Sequence, residues 1–148
     1  MEKTLVLVKP DGVQRGLIGE VIRRLENKGL KIVAMRMLQV DEALARKHYA
    51  AHVNKPFFPG LLTFITACPI VAMVLEGPSA VAVVRNMMGP TNGAEAPLGT
   101  IRGDYGISKQ FNLVHGSDSP EAAETEISLY FNAEDIMNYD IAAQPWMY

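Results

Sequence analysis

The sequence is short of the features that most readily announce a function. It has one cysteine, Cys68, so no internal disulfide can form. That excludes a disulfide-stapled scaffold and is compatible with a reducing compartment. No apolar run nears the ~20 residues needed to cross a bilayer. The longest, Ile70 to Leu75, has the length of a strand. Met1-Glu2-Lys3-Thr4 leads into apolar residues without the ordered regions of a signal peptide, so the expectation is a soluble, unprocessed, cytoplasmic chain. The G-x-x-x-x-G-K-[ST] loop, a G-x-G-x-x-G after a strand, and the H-R-D and D-F-G sets are all missing. If this chain handles phosphate, its side chains must do so.

Positive charge is scarce in one part of the chain. Residues 1–55 hold eleven Lys or Arg against six Asp or Glu, and residues 56–148 hold three against ten. Those three, Arg85, Arg102 and Lys109, each lie near glycine-rich or polar segments, where an anion site and ordinary solvated charge are both open readings. The net charge of −2 argues against a general nucleic-acid binder, and no specific nucleic acid is expected.

What the chain does have is periodicity. Its 148 residues, 49% hydrophobic, suit one domain over 1–148, with 132–148 as a carboxy-terminal tail. Thr4–Val8 reads as a strand stopped by the turn signal Pro10-Asp11-Gly12. Leu17, Ile18, Val21, Ile22 and Leu25 share a helical face that ends at Gly29, and Lys31–Leu38 reads as a second strand. Asp41 is an N-cap for a helix through about Tyr49, and Pro59-Gly60 opens another through Phe64. Ile70–Glu76 is a strand, and Ser79–Met88 a helix closed by Gly89-Pro90. A long loop runs from Gly89 to Asp104, followed by a strand over Phe111–His115, a turn, and a helix from Pro120 to about Tyr130. This order predicts an α+β ferredoxin-like βαββαβ sandwich with an antiparallel four-stranded sheet, a helical insertion and a long loop before the last strand. Such a fold alone does not name an activity.

The segment Asn112-Leu113-Val114-His115-Gly116-Ser117-Asp118-Ser119 puts an imidazole at a strand end, against a glycine and just before a helix. A neutral imidazole there is a nucleophile if an acceptor holds its second nitrogen. Glu126 can be that acceptor, because helical side chains tilt toward the helix start. A histidine that merely bonds a turn is the bland alternative. His48 and His52 have the i, i+4 spacing of a metal pair, but the H-E-x-x-H glutamate is absent and no third ligand suggests itself, so no zinc site is expected from that pair.

The octapeptide resembles the active-site signature of the nucleoside diphosphate kinases. Val8–Gly16 resembles that family's first strand and turn, and His48-Tyr49 with Lys55-Pro56-Phe57-Phe58 resembles its helical insertion. Gly99–Tyr105 resembles the loop before the active-site strand. Taken together, the resemblance covers nearly the whole chain. It implies transfer of the terminal phosphate of a nucleoside triphosphate to a nucleoside diphosphate, in two ping-pong steps through a phosphohistidine at His115. Ser117 and Glu126 would orient the histidine. Lys9 would reach the sugar hydroxyl and phosphate, Asn112 the ribose 3′-hydroxyl, and Arg85, Arg102 and Thr91 the phosphates. His48 and Tyr49 would line the phosphate side, with Tyr49 among the catalytic groups. Phe57 and Leu61 would hold the base.

The resemblance also implies Mg2+ arriving with the nucleotide, with Asp118 touching it through water, and a hexamer of two trimers. That assembly would use the 89–104 loop and the apolar tail around Trp146. Two positions depart from the family pattern: Gly93 where many relatives carry proline, which suggests a less rigid loop, and Lys109 where many carry an apolar residue. Lys109 could still cover the base with its stem. A histidine phosphocarrier could also use His115 but needs no nucleoside pocket, and a binding-only regulator is expected to lose the nucleophile or its partners, none of which is missing.

Overall fold

The computed structural model describes residues 1–148. Strand β1 (Glu2–Val8) leads into a short helix, α1 (Pro10–Gln14). The Pro10-Asp11-Gly12 turn predicted from sequence is therefore helical. Proline fits the first helical position, where its missing N–H has no partner to lose. Helix α2 (Ile18–Lys28) ends at Gly29 with φ 105°, a conformation that favours glycine, and β2 (Lys31–Leu38) follows. Asp41 caps α3 (Glu42–His48) by accepting from the Leu44 N–H at 2.7 Å. A short 3-10 turn over Ala50–His52 precedes α4 (Phe58–Ile65), and then come β3 (Ile70–Gly77) and α5 (Ala80–Met88).

The long loop contains a helix that the sequence reading passed over, α6 (Ile101–Tyr105), capped by the Thr100 hydroxyl accepting from the Gly103 N–H at 2.9 Å. Strand β4 is only Val114–Gly116, shorter than predicted, because buried Leu113 has φ 73°. A left-handed leucine cannot lie in a regular strand, and such a residue costs about 1–3 kcal/mol unless its surroundings hold it. Two bonds do so: its N–H donates to Asp11 at 3.1 Å, and its carbonyl accepts from the Lys9 N–H at 2.8 Å. Helix α7 (Pro120–Tyr130) starts from Ser119, whose hydroxyl accepts from the Ala122 N–H at 3.0 Å.

The four strands form one antiparallel sheet in the order β2-β3-β1-β4. Alternation along the strands divides the core. Val6, Val8, Val71, Met73 and Leu75 pack with α2 and α5 on one face. Leu5, Leu7, Ile70, Ala72 and Val74 pack with α3, α4 and α7 on the other. Covering both faces explains why the Ile70–Leu75 run is unbroken rather than alternating. Register then aims the chemistry: His115 pairs with Leu7, so it shares the α3/α7 face, while its neighbours Val114 and Gly116 pair with Val8 and Val6 on the α2/α5 side. A Cβ at Gly116 would lie 2.5 Å from the Met88 sulfur and 3.0 Å from a Val84 methyl, so a larger residue would have to displace these α5 side chains.

Candidate active site

The His115 ring is half-buried, and its Nε2 is 2.9 Å from Glu126 Oε1. That same oxygen accepts from the Ser117 hydroxyl at 2.7 Å, and the serine Oγ in turn accepts from the Leu5 N–H at 3.4 Å. Glu126 lies in the second turn of α7, and its carboxylate leans back toward β4 as the helix geometry requires. Burial alone would raise its carboxyl. The bond and charge of His115, the Ser117 bond and the charge of His48 outweigh that effect and hold it below its ordinary value.

Behind His115 stands His48, the last residue of α3, with its ring edge-on at 4.6 Å between centroids. Its Nδ1 is 3.0 Å from the Tyr130 hydroxyl. Its Nε2 has no hydrogen-bond partner and lies 4.0 Å from Glu126 Oε2. Burial, then the neighbouring His115 and Lys9, push His48 down to about 3 against the pull of Glu126, so it is neutral at physiological pH. Tyr49, ring to ring with His48 at 4.5 Å, has a buried hydroxyl without a partner, and burial followed by the Glu126 charge raises it.

Three cations approach from the other side. The Lys9 Nζ donates to Asn112 Oδ1 at 2.8 Å. Burial, then the Arg102 charge, lower its ammonium to about 8, with Asp11 opposing. Arg102 is deeply buried and donates to the carbonyls of Asn112, Gly89 and Val114 at 3.1, 3.1 and 2.7 Å. A guanidinium has five N–H donors, so two remain for an anion while the other three brace the approach to β4. Burial and then Arg85 lower it to about 10. Arg85, on the exposed side of α5, donates to the Gly116 carbonyl at 3.3 Å.

Beside Lys9 and Asn112 opens a cavity of about 710 Å³ whose walls include Phe57, Leu61, Thr91 and Lys109. The expected residues thus fall into an imidazole corner (His115, Glu126, Ser117, His48, Tyr49), a cationic rim (Lys9, Arg85, Arg102), and an open slot (Phe57, Leu61, Thr91, Lys109, Asn112). Asp118 is exposed beyond Ser117 and has no hydrogen bond or ion pair that ties it to the cluster. His52 does not join His48: its ring faces Phe57 at 5.4 Å.

Sequence reasoning missed several participants. Tyr130 holds His48, and its position four residues after Glu126 on one helix face was the available signal. Asp11 ties down Leu113, and its charge favours the charged forms of both Lys9 and Arg102, whereas its sequence signal is only that of a turn. Phe64, Pro56, Gly60 and Gln110 also wall the slot, and Phe64 meets the Phe111 ring at 5.4 Å. At Gly93 the backbone of the loop packs closely against that of its neighbours. A Cβ there would lie 2.5 Å from the Gly106 carbonyl carbon, so a side chain at this position would require the backbone to shift.

The sequence model of the family described as nucleoside diphosphate kinase matches residues 2–136. The nucleoside diphosphate kinase of Archaeoglobus fulgidus is 58% identical, covering 100% of this chain and 98% of its own length. That of Listeria monocytogenes serotype 4b (strain F2365) is 56% identical over 99% of this chain and 100% of its own. Among solved structures, a halophilic nucleoside diphosphate kinase from Halobacterium salinarum in complex with CDP superposes with a TM-score of 0.97 at 52% identity, covering 99% of this chain and 98% of that one. A nucleoside diphosphate kinase family protein from Babesia bovis matches with a TM-score of 0.97 at 44% identity over 100% of both chains. With a family model spanning nearly all of its length and full-length relatives above half identity, the chain belongs to the nucleoside diphosphate kinase family.

Proposed function

We propose that this protein moves the terminal phosphate of a nucleoside triphosphate to a nucleoside diphosphate through a phosphohistidine at His115, balancing nucleotide pools. The observation that carries the reading is the Glu126 bond to His115 Nε2, supported from behind by Ser117. A carboxylate only accepts, so the proton stays on Nε2 and the lone pair on Nδ1. Nδ1 attacks the γ-phosphorus as the bond to the β-phosphate oxygen breaks, and the diphosphate leaves. The ring then carries phosphate on Nδ1 and a proton on Nε2, and its positive charge faces Glu126. A β-phosphate oxygen of a second diphosphate reverses the step and restores neutral His115.

Phosphoryl transfer needs charge stabilisation more than bond-making help. Lys9, Arg85 and the two unused donors of Arg102 supply it, and the Tyr49 hydroxyl, buried without a partner, is a further donor. Asn112, fixed by Lys9 and by its own Nδ2 bond to the Lys109 carbonyl at 3.2 Å, takes the ribose hydroxyl. Phe57, half exposed, and Leu61 hold the base by its faces, with the Lys109 stem as the opposite wall and Thr91 near the phosphates. Stacking reads no base edge, which suits exchange among many nucleosides.

Mg2+ fits as a companion of the nucleotide. The phosphate side is cationic, and the one cluster of metal-binding types contains two imidazoles, a set unsuited to a hard ion. Asp118 would touch the ion through water, and the metal would offset charge between the outer phosphates when bound.

The same reading extends to architecture. The sheet order with two βαβ halves fits a ferredoxin-like sandwich, with α3 and α4 as the insertion, and a single domain over 1–148 with the tail at 132–148. A hexamer of two trimers is supported by exposed Leu98 and Ile107 in and just after the long loop, and by the tail. There Met147 folds against Gly29 while Trp146 stays 90% exposed. No helix is long and apolar enough to cross a membrane, and the free Cys68 thiol suits a reducing, cytoplasmic setting. To test the activity, the protein is incubated with labelled ATP alone. The reading requires label that is acid-labile, alkali-stable and transferable to GDP, and absence of that label overturns it.

A further inference from the structure

The three residues His48, His115 and Glu126 come from α3, β4 and α7, and their ligating atoms all lie within 4.8 Å of one another. Nucleotide chemistry needs His115 Nδ1, yet here two imidazole Nε2 atoms and a carboxylate converge on the opposite side of that ring. The His48 side chain is only 2% exposed, and its Nε2 has no partner and points at Glu126 Oε2 from 4.0 Å. An unpartnered nitrogen that deep is costly unless something meets it.

We infer that His48, His115 and Glu126 form a binding site for a single zinc ion, and that zinc bound there switches the enzyme off by reversing the tautomer of His115. Two imidazoles and a carboxylate with a fourth position open are a set that zinc takes readily. Tetrahedral zinc with bonds of about 2.0–2.1 Å separates its ligands by roughly 3.3 Å. With Oε2 as the carboxylate ligand, the 4.0 Å to His48 Nε2 and the 4.8 Å limit on all three pairwise separations exceed that value by little, so modest side-chain motion completes the site. The outer shell is already present. Ser117 keeps its bond to Glu126 Oε1 while Oε2 takes the metal, and the Tyr130 hydroxyl sits on His48 Nδ1. Partial exposure of His115 and Glu126 supplies an entry path.

The proton accounting gives the consequence. Zinc takes the Nε2 lone pair of each ring, so the neutral rings must carry their protons on Nδ1. For His48 that proton is donated to Tyr130, whose hydroxyl can accept as readily as donate. For His115 the proton leaves Nε2 and, through solvent, ends on Nδ1. The lone pair needed for attack on phosphorus is gone, and no net proton is released by either ring. By linkage, a phosphate on Nδ1, which keeps the proton on Nε2, must weaken zinc binding by the same factor that zinc suppresses phosphorylation. This second half rests on the function proposed above, whereas the binding itself does not.

The experiment titrates zinc chloride into the full chain at neutral pH in a non-chelating buffer containing excess Mg2+, without nucleotide, with 15N spectra of the histidines recorded in parallel. The expected result is one zinc per chain, with affinity reduced by more than about tenfold in Glu126→Gln and in His48→Ala. His52→Gln and Cys68→Ala should bind as the parent does, and His115 should pass from the Nε2–H to the Nδ1–H form. No saturable binding, binding lost in His52→Gln or Cys68→Ala instead, or a His115 spectrum unchanged by bound zinc overturns the inference. The near-isosteric Glu126→Gln keeps the test sound if His48→Ala fails to fold. Labelled ATP added afterwards separates the two ideas. Loss of label only when zinc is present supports the switch, label unaffected by bound zinc refutes it, and no label even without zinc counts against the kinase reading while leaving the metal site standing.

Discussion

Around His115, side chains from β4, α3 and α7 hold one another in a largely shielded corner, whereas Phe57, Thr91 and Lys109 wall an open slot and are themselves exposed. In the corner most side chains are held by hydrogen bonds of fixed geometry, while His48 Nε2 and the Tyr49 hydroxyl are buried there without a partner. In the slot, contacts are apolar faces and flexible stems. Under the proposed function the difference divides the labour: the corner would set one reactive atom, and the slot would accept ligands of varied outline. Arg102 and Lys9 stand between the two and serve both.

If that division is right, the largest loss comes from the corner. His115→Ala should abolish ATP-to-GDP exchange while far-ultraviolet circular dichroism stays at wild type, because the partly exposed ring on β4 lies outside the apolar core on either face of the sheet. The bridging cations come next. Lys9→Ala and Arg102→Ala should each slow exchange by on the order of 10²–10³-fold, the usual cost of one lost transition-state donor. Only Arg102→Ala should also unfold earlier, by on the order of 5 °C, because three backbone carbonyls lose their donor. Equal melting points for the two variants would erase the structural role given to Arg102.

How far these roles could be read from sequence follows the same division. The strand and helix order, the caps at Asp41 and Gly29, and the His115, Glu126 and Ser117 group follow from period, spacing and a recognisable octapeptide. The shortness of β4 could not be read, because Leu113 is left-handed only through bonds to Asp11 and Lys9 from a segment about a hundred residues away. The tight fit at Gly93 is likewise tertiary, since its neighbours Arg102 and Gly106 come from α6 and its end. Tyr130 was hidden because its partner His48 lies on another helix.

A pH titration sharpens the middle of the comparison. With the Lys9 ammonium lowered to about 8 from 10.5, first by burial and then by Arg102, its charge is present below pH 8 and lost above it. Exchange in the free enzyme should therefore decline as pH rises through about 8. Stability carries the opposite sign: between pH 8 and 10.5 the unfolded chain holds the proton that the folded chain has lost, so the Lys9 contribution to stability rises with pH. Asp11→Asn, which removes the opposing charge, should move the decline to lower pH. A decline that does not move in that variant would remove Asp11 from the set.

The smallest effects belong to the slot and the tail. Phe57→Ala should raise KM for ADP, GDP, CDP and UDP together by on the order of tenfold, from one lost stacking contact. A change confined to one base would mean that the slot reads edges. Ending the chain at Asp140 should weaken assembly or lower thermal stability while leaving the chemistry of His115 unchanged, as read by light scattering and exchange rate.

The central claim is that Glu126 holds the proton on His115 Nε2 and leaves Nδ1 as the nucleophile. The most direct measurement is 15N and 31P spectroscopy of the isotopically labelled protein before and after ATP. The account predicts an Nε2–H tautomer in the free protein and phosphorus bonded to Nδ1 of His115 afterwards. A free ring protonated on Nδ1, or phosphate found on Nε2 or on another residue, would contradict it.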